Sequence, residues 1–133
     1  MKLFLPFFIF AITAVSSAQV KALKKVADDP TTCEYIKNAL DYARMGTRKV
    51  ENSYLLLIFR PGRAEKSTSI SEDRTKFIRS ILLSRDPTFD RQLVMAQGKV
   101  VNDLGRLEIY VGGKLEWDVY FKKNKAGWDS CIE

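Results

Sequence analysis

Between Arg60 and Arg74 the chain gathers four cations around the start of a helix: Arg60, Arg63 and Lys66 precede it, and Arg74 falls one turn inside it. A helix N-terminus presents unpaired amides and the positive end of a dipole, so cations collected there suit a carboxylate or a phosphate. Glu65 stands in the same segment and keeps a second arrangement open. In that one the loop is simply solvated, and Arg74 makes a salt bridge to Glu65 or to the C-terminal tail.

Other chemistry has little to work with. The chain has no histidine, the residue most used for proton transfer near neutral pH. Ser67, Thr68 and Ser69 have no base beside them and read as helix-capping residues. Glu108, Glu116 and Asp118 alternate outward along a hairpin, as a solvated strand face does. No glycine motif cradles a phosphate, and two cysteines without histidine are far short of a zinc site. The expectation is a non-enzymatic protein that needs no metal and no cofactor.

The elements that must position the cations follow from apolar spacing. Tyr54 to Phe59 is an unbroken apolar run, which reads as a central strand covered on both faces. Arg60-Pro61-Gly62-Arg63 is a turn signal. Ser69 with Glu72 forms a capping box that starts the helix at Ile70. Ile70, Phe77, Ile78 and Ile81, with Leu82 and Leu83 behind them, make one buried stripe. Arg74 lies inside that stripe, so it must snorkel to the edge of the core or meet a partner there. Arg85-Asp86-Pro87 ends the helix, because proline cannot continue it. Residues 91–97 form the next strand, which makes a parallel pair with the first. Arg106 to Val111 alternates apolar and polar, Gly112-Gly113 is a hairpin turn, and Leu115, Trp117, Val119 and Phe121 alternate in the returning strand. Upstream, Thr31 and Glu34 frame a second capping box. Cys33, Ile36, Leu40 and Ala43 then mark a helix with Gly46 as its stop. The fold class is α+β: a two-layer sandwich whose mixed sheet holds a β-α-β unit followed by an antiparallel hairpin, with an N-terminal helix added.

The ends of the chain speak to where it works. Met1-Lys2, an apolar run to Val15 and Ser16-Ser17-Ala18 form a secretory signal peptide over residues 1–18, cut before Gln19. Thirteen apolar residues are too few to span a bilayer, so no transmembrane segment is expected after cleavage, and the protein is expected to be periplasmic or extracellular. Residues 19–30 show no period and read as a flexible lead-in to one domain over 31–133. Cys33 and Cys131 are expected to pair in an oxidising compartment, stabilising the fold by up to ~4.7 kcal/mol in the chain-entropy model. The formal charge of +6 falls to +5 once Lys2 leaves. That excess favours acidic partners such as cell-wall polymers, anionic lipid surfaces or nucleic acid. No stretch interleaves it with aromatics as a nucleic-acid groove would, and export argues further against nucleic acid.

Around the second helix the sequence resembles the OmpA-like domain, an envelope module that holds proteins to peptidoglycan. Residues 70–75, Ile-Ser-Glu-Asp-Arg-Thr, look like that family's Leu-Ser-x-x-Arg-Ala helix start, and Leu82 falls where the family has a leucine in its Tyr-Leu pair. Ala96-Gln97-Gly98 resembles its post-strand glycine segment, and Arg106-Leu107-Glu108-Ile109 its terminal Arg-Arg-Val-Glu-Ile strand. The match covers roughly Leu55 to Val111. It implies that Arg74 binds a carboxylate of the peptidoglycan stem peptide, with Arg60 and Arg63 nearby. The family's aspartate after the central strand is missing, and Glu65 is the nearest carboxylate. The resemblance implies an envelope protein that binds peptidoglycan or another envelope component. Two alternatives accompany it: a secreted protein-interaction module on the same scaffold without peptidoglycan binding, and a cystatin-like binder or inhibitor with an all-antiparallel sheet.

Overall fold

The computed structural model describes residues 31–65 and 69–127. The expected signal peptide, the lead-in, Lys66, Ser67, Thr68, Trp128 and Cys131 lie outside the described residues. Six elements follow in chain order: helix α1 (Cys33–Arg48), strand β1 (Leu55–Arg60), helix α2 (Ile70–Arg85), and strands β2 (Leu93–Gln97), β3 (Arg106–Val111) and β4 (Lys114–Tyr120). A 3-10 helix, Pro87–Gln92, joins α2 to β2. It is not marked by apolar period, and it shortens the strand expected over 91–97.

The sheet order is β2-β1-β3-β4. β1 and β2 run parallel, with Leu57 beside Met95, a pairing that an all-antiparallel cystatin-like sheet would not contain. β1 and β3 run antiparallel, as do β3 and β4. This is the mixed two-layer α+β arrangement expected from the sequence.

Side chains alternate across a strand, and here one face carries the core. Leu55, Leu57, Phe59, Leu107, Ile109, Val119 and Phe121 are fully buried against Ile36, Leu40 and Ala43 of α1, Ile78 and Leu82 of α2, and Phe89. Both helices therefore lie on the same face. The apolar run of β1 suggested cover on both sides, yet no described helix packs over Leu56 and Ile58. None of the described helices is long and apolar enough to cross a membrane.

Three local expectations are corrected by hydrogen bonding. α1 is capped by Thr32, whose hydroxyl accepts from the Tyr35 amide (3.4 Å). Thr31 instead clasps the end of β4: its amide donates to the Tyr120 carbonyl (3.0 Å) and its hydroxyl accepts from the Tyr120 amide (2.8 Å). Gly46 does not stop α1, which runs two residues further with Gly46 facing Val111. α2 does start at Ile70, but the Ser69 side chain makes no capping hydrogen bond. The hairpin turn holds Gly112 and Gly113 at φ of 59° and 78°, a left-handed pair that glycine adopts without a steric penalty. A bulge then shifts the register, so that Tyr110 faces Leu115 while Ile109 faces Trp117. Leu115 thus leaves the core face on which simple alternation placed it.

Ion pairs stitch the helices together at their ends. Arg48 meets Asp86 at 2.6 Å, and Arg85 pairs with Asp41. Cys33 is buried at the start of α1; its expected partner, Cys131, lies outside the described residues. The buried Phe89 anchors the 3-10 helix to the core. Phe89→Ala should cost about 3–5 kcal/mol in urea denaturation, whereas Val50→Ala at an exposed site should stay within about 0.5 kcal/mol of the parent.

Candidate functional site

Arg74 is the charged residue inside an apolar stripe, and each of its three nitrogens finds an acceptor within the fold. Its side chain is 1% exposed and that of Glu65 is 3% exposed. The pair is bidentate: Nη1 donates to Glu65 Oε2 (2.7 Å) and Nη2 to Oε1. Nε donates to the Lys125 carbonyl (3.0 Å), and Nη2 also points at the Lys122 carbonyl (3.4 Å). The guanidinium carbon lies 4.3 Å from the centre of the Phe121 ring, within the range of a cation–π contact. Of the two salt bridges weighed for a structural Arg74, the one to Glu65 forms; the described part of the tail contributes backbone carbonyls instead.

Glu65 is equally committed. Besides Arg74 it accepts from the Gly62 amide (2.8 Å) and the Asn124 amide (3.1 Å). Burial pushes its carboxyl up, but the hydrogen bonds from Arg74 and the two amides hold it below the ordinary range. Residues 122–127 form a strap across the pair. Asn124 has a φ of 58°, a left-handed conformation that asparagine tolerates better than most residues. On the far side the pair presses on Gly105, where any Cβ would collide with both Arg74 Nη1 and Glu65 Oε2.

The other residues expected at the loop go elsewhere. Arg63 is exposed, and Lys66 lies outside the described residues. Arg60 follows the buried Phe59 and so points to the opposite face of the sheet, where it donates to Glu108 Oε1 (2.7 Å). Arg60, Arg63 and Arg74 do not converge on one anion.

Arg60 opens a second polar network that sequence alternation described as solvated. Glu108 has a side chain only 6% exposed. It accepts from Arg60 and from the Tyr110 hydroxyl (3.0 Å), and Arg106 Nη2 forms an ion pair with it at 2.9 Å. Its cross-strand neighbour Asp118 accepts from the Tyr120 hydroxyl (3.1 Å). Burial pushes the Glu108 carboxyl up, but hydrogen bonds from Arg60 and Tyr110 hold it below the ordinary range. Burial pushes the Asp118 carboxyl up, and Arg106 at 3.8 Å only partly offsets it. The sequence signal for this network was the same-face series Arg106, Glu108, Tyr110 opposite Asp118 and Tyr120.

Comparison with protein-family models, with curated proteins and with solved structures finds no match for this chain.

Two outcomes follow. Removing one member of a buried ion pair strands the other, so Glu65→Gln should lose about 3–5 kcal/mol of stability in chemical denaturation. The pH dependence has two signs. Glu65 and Glu108, both depressed in the folded chain, contribute stability present above their unfolded pKa and lost as pH falls through the folded one. Asp118, raised by burial, favours the fold at low pH, and that contribution is lost as pH rises through its folded value. The thermal midpoint should therefore fall below about pH 4, and Asp118→Asn should raise it at pH 7.

Proposed function

We propose that the chain is an exported, non-enzymatic interaction domain of the cell envelope or extracellular space, built on an OmpA-like scaffold in which Arg74 has become structural. The observation that carries this is the closure of the guanidinium. Glu65 occupies the bidentate edge that a ligand carboxylate would need, and the strap carbonyls take Nε and part of Nη2. An incoming carboxylate would have to displace a buried partner that also satisfies two backbone amides.

Several features support the OmpA-like reading of the scaffold. The order strand, helix, strand, strand is kept, with a parallel first pair and an antiparallel third strand. The loop after β1 supplies a carboxylate next to the helix arginine, as the resemblance implies, but glutamate here reaches the arginine directly. A pairing of Cys33 with Cys131 belongs to the same proposal. It would tie α1 to the end of the chain just beyond the strap.

The test is a pull-down of the oxidised mature chain on insoluble peptidoglycan, with Arg74→Lys alongside. Lysine keeps the charge and loses the bidentate edge. The expected result is no Arg74-dependent retention, with the variant losing stability by urea titration. Strong retention of the parent that is lost in a folded Arg74→Lys would replace this proposal with stem-peptide binding.

A further inference from the structure

The face of the sheet opposite the helices is arranged in three rows. Residues directly paired across strands share a face, so Val94, Leu56, Tyr110 and Leu115 form one row. Ala96, Ile58, Glu108 and Asp118 form the next, and Arg60, Arg106 and Tyr120 the last. No described element packs on these rows. An antiparallel sheet with one solvated face carries polar residues there, but the outward positions of β1 and β2 are Leu56, Ile58, Val94 and Ala96. That composition belongs to a sheet with layers on both sides, and only one layer is present among the described residues.

Charge narrows what can complete it. Glu108 is nearly inaccessible, whereas Arg60 and Arg106 are 24% and 31% exposed. A partner approaching the arginine row therefore meets guanidinium edges, while the carboxylate that holds them is shielded from it. Next to that row lies an apolar strip at the β2 edge, where Val94 is 44% exposed.

We propose that this open face docks an acidic amphipathic helix of a partner protein, with its apolar stripe on Leu56, Ile58, Val94 and Ala96 and its carboxylates on Arg60 and Arg106. The inference rests on the interaction-domain reading above and names its surface and partner. A second copy of the chain fits less well. Sheets packed face to face keep their strands near alignment, so a two-fold along the strands sets the arginine row against itself. A two-fold across the strands buries that row on Leu56 and Val94. An anionic bilayer would press headgroups on Asp118, 19% exposed, as well as on the arginines. A helix can place single carboxylates on the arginine row alone.

The experiment is calorimetric titration of the mature chain with a synthetic helix of about 18 residues, roughly 27 Å long, carrying leucines at helical spacing flanked by glutamates. A twin with lysines in place of the glutamates runs alongside. The glutamate peptide should bind and the lysine twin should not. Val94→Asp and Arg60→Gln, each checked for folding by circular dichroism, should each weaken binding about tenfold or more. Absence of glutamate-peptide binding, or equal binding of the twin, overturns the inference. So does self-association in sedimentation that Val94→Asp abolishes, or flotation with phosphatidylglycerol vesicles that Arg60→Gln abolishes. A peptidoglycan arm separates the two proposals. Arg74-dependent retention there overturns the interaction-domain reading itself, whereas peptide failure without such retention overturns only the docking face.

Discussion

A guanidinium taken out of water must find its hydrogen bonds inside the protein, and the buried Arg74 sets that constraint on every segment around it. The loop after β1 has to bring Glu65 underneath, the turn before β3 has to be glycine at position 105, and the end of the chain has to fold back as a strap. A buried pair of this kind contributes little net stability, because desolvation offsets much of the attraction. Its effect is on specificity: other packings of these segments would leave a charge or a carbonyl unpaired.

The two charged networks divide the sheet between them. On the helix face, Arg74 and Glu65 are sealed against one another. On the opposite face, Arg60 and Arg106 share Glu108 at the margin of an apolar strip. The same residue types thus serve structure on one side and leave a charged, accessible edge on the other. Burial rather than composition makes the difference.

The elements were largely legible because apolar spacing marks a helix or a strand wherever tertiary contacts do not override it. The start of α2 at Ile70, the hairpin and the parallel pair all follow from local pattern. Arg74 stood out for the same reason, as a charge at an apolar position, and Glu65 was the carboxylate within reach. What escaped was set by contacts across the sheet. Alternation tells which face Glu108 occupies but not that Arg60, from a strand 48 residues earlier, would cover it. Thr31 and Thr32 both suit a cap, and only the proximity of Tyr120 decides that Thr31 goes to the sheet. The bulge that turns Leu115 outward is a two-strand property with no one-strand signature. Arg60 parts from the other cations expected before α2 because of the pleat: it follows a core residue, so it must point away from Arg74.

The strap also gives the molecule an order in time. Lys125 lies 51 residues after Arg74, so a chain made from its N-terminus carries the arginine and Glu65 well before the carbonyls that enclose them. Until those last residues arrive, the inner charge pair stays open to water and the sheet lacks its final strand. For an exported chain this means that a nascent or partly translocated intermediate has no finished fold to block its passage. In that proposed case the lock closes only once the strap has crossed as well.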